Sequence, residues 1–389
     1  MLAVLSPGQG AQKPGFLTPW LAVDGVEAQL RWWSALAGVD LVHLGTEADA
    51  DEIKDTAKTQ PLLTAAALVA AAQLQLPEVC VVAGHSVGEL GAAALAGVLT
   101  PENAIALAGV RGREMAAACA LEPTGMAAIL GGDETEVLAA IAAHGLYPAN
   151  RNGAGQTVAA GSLAGLEKLA AQPPAKARII QLQVAGAFHT PYMAPAEQAL
   201  GAVAGGITPG DPAKILLSNA DGAAVGSGQD LVARLVRQVT APVRWDLVMR
   251  TLADLGVTAV LELPPAGTLA GLVKRELKKA SIEIVTVNTP DDLAAARDLI
   301  LRHGGAPGHE PTLHFRIVVA GAAGTFCPAE GLAGGDPVKA GQVIGQVITR
   351  QGGVDVAVRD AGFLTEWLAH LDDPIAQGQP LARIEGVSA

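Results

Sequence analysis

The residues of this chain best suited to do chemistry lie in Gly84-His85-Ser86-Val87-Gly88, with Glu89-Leu90 following. A β-branched apolar run, Val79 to Val82, enters the pentapeptide, and a small-residue run from Gly91 to Gly97 leaves it. Gly-x-Ser-x-Gly between a buried strand and a helix is the pattern of a turn too sharp for side chains at its flanks. Such a turn lifts the serine hydroxyl to its tip, where a helix N-terminus places partial positive charge beside any oxyanion formed there. Ser86 is therefore a candidate nucleophile. A plain strand-to-helix turn is the competing reading, because a glycine-rich chain makes the pentapeptide by chance.

Two further groups stand out. Thr100-Pro101-Glu102 reads as a helix start, with Thr as cap, Pro at the first position and an acid in the first turn. On that helix Leu107, Arg111 and Met115 follow at i, i+4 and i+8, so an arginine lies within an apolar stripe. It either snorkels to solvent or a structural carboxylate, or clamps a substrate carboxylate through its planar fork. Ala187-Phe188-His189-Thr190-Pro191 sets a histidine between a strand and a helix start, where residue pattern alone favours a structural histidine.

Composition narrows the function. The chain has 389 residues, with 26 Lys and Arg against 38 Asp and Glu and only 3% aromatics. Two or three domains of tightly packed helix and sheet fit that length, and nucleic acid does not fit the acidic balance. No apolar run approaches a membrane span, and Met1 to Leu5 lead straight into a glycine turn, unlike a signal peptide. Cys80, Cys119 and Cys327 are far apart without metal-ligand spacing, which suits reduced thiols in a cytoplasm.

The elements around these residues read as follows. Leu2 to Leu5 is a buried first strand ending in Ser6-Pro7-Gly8-Gln9-Gly10, a plain connection or a turn whose amides face the site. Thr59-Gln60-Pro61 opens an apolar helix through Ala72. From about residue 118 the order becomes β-α-β-β-α-β: strands 126–130, 146–150, 157–161 and 178–184, helices 134–144 and 162–170, and a turn at Asn152-Gly153. Strands at 257–263 and 282–287 complete the larger sheet, and a Gly/Pro/His-rich linker follows Arg302. Beyond it, Asp336-Pro337-Val338-Lys339-Ala340-Gly341-Gln342-Val343-Ile344 reappears as Asp373-Pro374-Ile375-Ala376-Gln377-Gly378-Gln379-Pro380-Leu381, an internal repeat that implies a small quasi-symmetric β module.

Taken in order, Pro7-Gly8-Gln9-Gly10, Thr59-Gln60-Pro61, Gly84 to Glu89, Arg111-Gly112, Asn150 to Gln156, Phe188-His189 and Pro242-Val243-Arg244-Trp245 resemble the malonyl-CoA:acyl-carrier-protein transacylase family of bacterial fatty acid synthesis. The resemblance implies an α/β-hydrolase-like parallel-sheet core (1–117 and 188–302); the β-α-β-β-α-β order reads as a ferredoxin-like insert in it (118–187), and the linker spans 303–311. It also implies a ping-pong transfer of malonyl from malonyl-CoA to the phosphopantetheine thiol of an acyl carrier protein, in fatty acid or polyketide synthesis. Ser86 would carry the malonyl group and His189 would be base and then acid. Gln238 would orient His189 through its main-chain carbonyl, the amides of Gln9 and Val87 would form the oxyanion hole, and Arg111 would hold the malonyl carboxylate. Ala187-Phe188-His189 would favour malonyl over methylmalonyl, with the Phe188 ring crowding a methyl branch. Carrier proteins are acidic, so Lys274, Arg275, Lys278 and Lys279 are assigned to the docking surface. Ala241 departs from the family's usual Asn, and Leu263 to Gly267 from its usual Val-Gly-Pro-Gly.

The module at 312–389 resembles the hammerhead-like biotinyl/lipoyl carrier fold, but Gln351 stands where the carrier lysine belongs, and no lysine occurs from Ala340 onward. Biotin and lipoate are therefore not expected, nor a metal, and the module would serve packing, docking or assembly. Two alternatives remain at this level. One is a serine hydrolase of the α/β class, against which stands Asp133 as the only Asp between Ser86 and His189. The other is a scaffold that recruits synthase partners through the C-terminal module.

Overall fold

The computed structural model describes residues 1–278, 280–304, 315–329, 331–359 and 361–386. The chain divides into two compact units, Met1–Pro307 and Gly308–Ala389. The strands of the first unit are β1 (Leu2–Ser6), β2 (Val81–Gly84), β3 (Thr124–Gly131), β4 (Tyr147–Gly153), β5 (Gln156–Ser162), β6 (Ala177–Gln181), β7 (Ile215–Leu217), β8 (Ala259–Glu262) and β9 (Glu283–Thr286).

An all-parallel sheet in the order β7-β2-β1-β8-β9 carries the larger part of the unit. Its central strands read as continuous apolar runs because both faces are covered. Leu2, Val4, Val82 and Leu261 point into one core with the helices at 26–37, 56–72 and 101–119. Ala3, Leu5, Val81 and Val260 alternate to the other side, against Trp245, Val248, Leu269 and Leu272. The helix at Thr56–Ala72 starts earlier than the expected Thr59, because the Asp55 carboxylate caps it by accepting from Ala57 N. Pro61 then lies inside the helix instead of in its first turn. The 101–119 helix begins where expected, with the Thr100 hydroxyl accepting from Asn103 N.

A second, antiparallel sheet in the order β4-β5-β3-β6 carries the helices Glu134–Ala143 and Leu163–Ala171. Its hairpin turn is Ala154-Gly155, not Asn152-Gly153 as the sequence suggests. Ala154 and Gly155 both take positive φ, 49° and 69°, the mirror-image turn that matches strand twist. Asn152 stays in β4 because its side chain is engaged elsewhere, at His85. The strand expected to reach Val184 ends at Gln181.

In the second unit, β10 (Phe315–Val319), β11 (Gly324–Pro328), β12 (Pro337–Val338), β13 (Val343–Thr349), β14 (Gly352–Ala357), β15 (Gly362–Trp367), β16 (Pro374–Ile375) and β17 (Pro380–Gly386) form two antiparallel sheets, β10-β17-β15-β12 and β14-β13-β11-β16. The repeat lands symmetrically. In each copy the short strand (β12 or β16) edges one sheet, while the long strand that follows it (β13 or β17) enters the other. Phe326, Ile344, Val347, Leu364, Leu381 and Ile384 fill the space between them. Gln351 sits in the tight turn joining β13 to β14. Most of the expected linker at 303–311 lies outside the described residues.

Candidate active site

The elbow is built by steric necessity. A Cβ on Gly84 would lie 2.0 Å from the Gly88 carbonyl oxygen, and one on Gly88 would lie 2.2 Å from the Ser6 carbonyl oxygen. Only glycine lets β2 turn into the 88–95 helix while packed on the end of β1. Ser86 is thereby held at φ 55°, and His189 takes φ 59°. Both residues carry left-handed backbone strain that the surrounding packing must sustain. Asn219 braces the turn: its Oδ1 accepts from Ser86 N at 2.8 Å, and its Nδ2 donates to the Gly84 carbonyl at 2.7 Å.

His189 Nε2 lies 2.7 Å from Ser86 Oγ, and His189 Nδ1 lies 2.7 Å from the Gln238 carbonyl oxygen. A carbonyl can only accept, so Nδ1 carries the proton and Nε2 is left as the acceptor facing the hydroxyl. Burial, reinforced by the nearby Arg111 charge, holds the imidazole pKa down at about 3. The pair is thus a neutral base against a serine hydroxyl, oriented by a main-chain carbonyl where a triad would have a carboxylate.

Arg111 is 2% exposed and reaches the same point. Its Nη1 donates to Gln60 Oε1 at 2.6 Å, and its Nη2 donates to Gln238 Oε1 at 3.0 Å and to Ser86 Oγ at 3.3 Å. Burial pulls its pKa down to about 10, Glu89 opposing, so the guanidinium stays charged at neutral pH. Of its three bonds, the one to Ser86 is the longest, and a bound anion would replace it most easily.

These groups open into a cavity of about 380 Å³, lined by Gln9, Ser86, Val87, Arg111, Phe188 and His189. Gly8 packs on the elbow, where a Cβ would lie 2.6 Å from the His85 carbonyl oxygen, and Gln9 after it lines the same cavity as Ser86. Leu182 to Val184, expected to be strand, instead line the cavity together with Met126, Asn150 and Val158 of the antiparallel sheet. Lys274, Arg275 and Lys278 are exposed and are not part of that lining. Lys279 lies outside the described residues.

Pattern reading assigned no role to Gln60, Glu89 or Asn219. A polar or acidic residue in an otherwise apolar helix, as at Gln60 and Glu89, is the same signal that drew attention to Arg111. Asn219 carries no such signal, since it lies just beyond β7 and meets Ser86 only through the fold.

A half-buried serine paired with a buried histidine on a strand–turn–helix elbow, beside a buried cation, defines a serine acyltransferase site. The family described as acyl transferase domain matches residues 5–298, and the chain belongs to that family. It is 53% identical over 300 residues to the malonyl CoA-acyl carrier protein transacylase of Mycobacterium tuberculosis, covering 75% of this chain and 98% of the relative. The Escherichia coli K12 protein of the same name is 34% identical over 307 residues, covering 76% of this chain and 99% of the relative. Among solved structures, that of MCAT from Mycobacterium tuberculosis superposes with a TM-score of 0.73 at 52% identity, covering 76% of this chain and 99% of its own. A malonyl-transacylase in complex with its type II PKS acyl-carrier protein superposes with a TM-score of 0.71 at 31% identity, covering 76% of this chain and 99% of its own. Within the acyl transferases, the branch that holds this chain is the malonyl-CoA:acyl-carrier-protein transacylases. The family match ends at residue 298, before the C-terminal unit begins.

Proposed function

We propose that the chain moves malonyl from malonyl-CoA to the phosphopantetheine thiol of an acyl carrier protein through a malonyl-Ser86 ester. Ser86 Oγ attacks the thioester carbonyl while His189 Nε2 takes its proton. The amides of Gln9 and Val87 receive the oxyanion. The C–S bond breaks, and His189 returns the proton to the leaving CoA sulfur. In the second half, His189 takes the proton of the carrier thiol, whose sulfur attacks the ester carbonyl. The C–O bond then breaks, and Ser86 recovers its proton.

The observation that carries this reading is the 3.3 Å separation of Arg111 Nη2 from Ser86 Oγ. In a malonyl group the carboxylate lies two bonds from the reacting carbonyl, so a carbonyl placed for attack by Ser86 sets its carboxylate against the guanidinium. A hydrolase of neutral esters has no use for a buried cation there, and the carboxylate its triad would need is replaced by the Gln238 carbonyl. Phe188, 8% exposed and next to His189 in the chain, suits the crowding of a branched acyl chain.

Several finer assignments belong to the same reading. The core is α/β-hydrolase-like, and the β4-β5-β3-β6 sheet with its two helices is the ferredoxin-like insert. Lys274, Arg275 and Lys278, exposed on an acidic chain, suit an acidic carrier. Three unpaired thiols fit a cytoplasmic enzyme. The C-terminal unit is a hammerhead-like relative of biotinyl/lipoyl carriers, with Gln351 in the lysine's place, and serves docking or assembly.

Intact-protein mass spectrometry tests the transfer. After brief incubation with malonyl-CoA, a malonyl adduct should form on Ser86 and disappear as holo-carrier protein gains it. An adduct lost to water at the same rate with and without carrier would mark a hydrolase.

A further inference from the structure

Glu89 is 1% exposed, one turn after Ser86 on the 88–95 helix, and the mechanism above gives it no task. Both of its carboxylate oxygens face donors: Oε1 accepts from Asn219 N at 3.0 Å, and Oε2 accepts from Gln238 Nε2. Burial pushes its pKa up to about 7, while the Asn219 N–H, Ser218 and the Arg111 and Arg234 charges favour the ionised form.

The donor and acceptor directions here form one determined chain. The Gly84 carbonyl can only accept and the Ser86 N–H can only donate, so Asn219 must turn Nδ2 to the first and Oδ1 to the second. That oxygen also accepts from Gln238 Nε2 at 3.1 Å. Ionised, as above pH 7, Glu89 has no proton to give, so the Gln238 amide nitrogen is held between Glu89 and Asn219. Its Oε1 is then left to accept from Arg111 Nη2 at 3.0 Å. The main chain of the same residue holds His189.

We infer that ionised Glu89 is a positioning residue for acyl-group selectivity: together with Asn219 Oδ1 it holds the Gln238 amide nitrogen, keeps the amide oxygen turned toward Arg111, and so sets the guanidinium for a carboxylated acyl chain. The inference rests on the carboxylate-binding role proposed for Arg111. A neutral glutamine at position 89 has the same shape but one acceptor and one donor. Its NH2 must oppose either Asn219 N–H or the Gln238 NH2. In the second case the Gln238 amide either loses its bond to residue 89 or turns over, which sets its oxygen against Asn219 Oδ1 and a donor against Arg111.

The test measures the rates at which malonyl-CoA and acetyl-CoA acylate Ser86, read by intact mass in a single turnover. Acetyl carries no carboxylate, so the ratio of the two rates isolates Arg111's contribution from the Ser86–His189 chemistry. Glu89→Gln should lower the malonyl-to-acetyl ratio by about tenfold or more, the scale of losing an oriented bond to a charged group. Gln238→Leu, which keeps the carbonyl facing His189, should lower the ratio similarly, and adding Glu89→Gln to it should lower the ratio no further. A wild-type ratio in Glu89→Gln, or two independent decreases that multiply in the double variant, overturns the inference. If Glu89→Gln does not fold, Gln238→Leu decides alone, and an unchanged ratio there overturns it. Arg111→Ala separates the two levels. A wild-type ratio in that variant sinks the role of Arg111 itself, whereas a lost ratio there with a retained one in Glu89→Gln sinks only the role of Glu89.

Discussion

His189 Nδ1 meets the main-chain carbonyl of Gln238 at 2.7 Å, so the imidazole is oriented by a group that can accept a proton bond but never carry a charge. An aspartate there would stabilise an imidazolium. A carbonyl does so less, and burial, with the Arg111 charge close by, keeps the histidine neutral.

That neutrality has a signed consequence for pH. The folded-state pKa of about 3 lies below the ordinary 6.5, so the unfolded chain binds a proton that the folded one does not. The stability contributed is full above pH 6.5 and is lost as pH falls from there toward 3. Single-turnover acylation by acetyl-CoA, which makes no use of the Glu89-oriented Arg111, should show no loss of rate centred near pH 6.5, whereas a histidine titrating at its ordinary value would show one. A rate–pH profile from 5 to 8, on samples shown to be folded, checks this.

Arg111→Ala should reduce malonyl acylation of Ser86 by about 100-fold or more, the loss of a buried charge-assisted pair being worth roughly 3 kcal/mol. Uncharged acyl-CoA should become a competing substrate. Normal malonyl transfer in this variant would remove the clamp.

Replacing His189 by Ala should lower the rate of both half-reactions by about 10² to 10⁴, the usual range for a lost general base. Stopped-flow acylation and, separately, transfer from preformed malonyl-enzyme to carrier would each report it.

Glu262 is fully buried and closes the N-terminus of the 268–276 helix, accepting from Gly267 N at 2.9 Å, Leu269 N at 3.0 Å and Ala270 N at 2.7 Å. Glu262→Ala leaves two buried donors and one part-buried donor unmatched and should destabilise the first unit by about 3 kcal/mol. A urea titration would register it as a lowered midpoint.

Deleting residues 311–389 should leave transfer activity in place, because the larger unit holds every residue of the site and its own core. If the deletion abolishes transfer by a folded protein, the C-terminal unit contributes directly to the reaction. If transfer and assembly both stay unchanged, the recruiting role is removed.

Much of this protein is legible in its residues alone. The Gly84 to Gly88 elbow could be read because a turn that sharp, between a buried strand and a helix, admits no side chain at its flanks. Arg111 could be flagged because a cation in an apolar stripe must find partners, and the repeat in the C-terminal unit because each copy is one strand–turn–strand piece. At the hairpin, local pattern misleads because a tertiary contact intervenes. Asn152-Gly153 looks like the better turn, yet Asn152 is held at His85 and the turn moves to Ala154-Gly155. What only the fold decided is the connection among remote residues. Ser86 meets His189, Arg111 and Asn219, and Gln238 joins His189 and Arg111 to Glu89. A main-chain acceptor has no residue signature, and an amide's orientation depends on which neighbours can only donate or only accept. Both become determinate only when packing brings distant segments within hydrogen-bond reach.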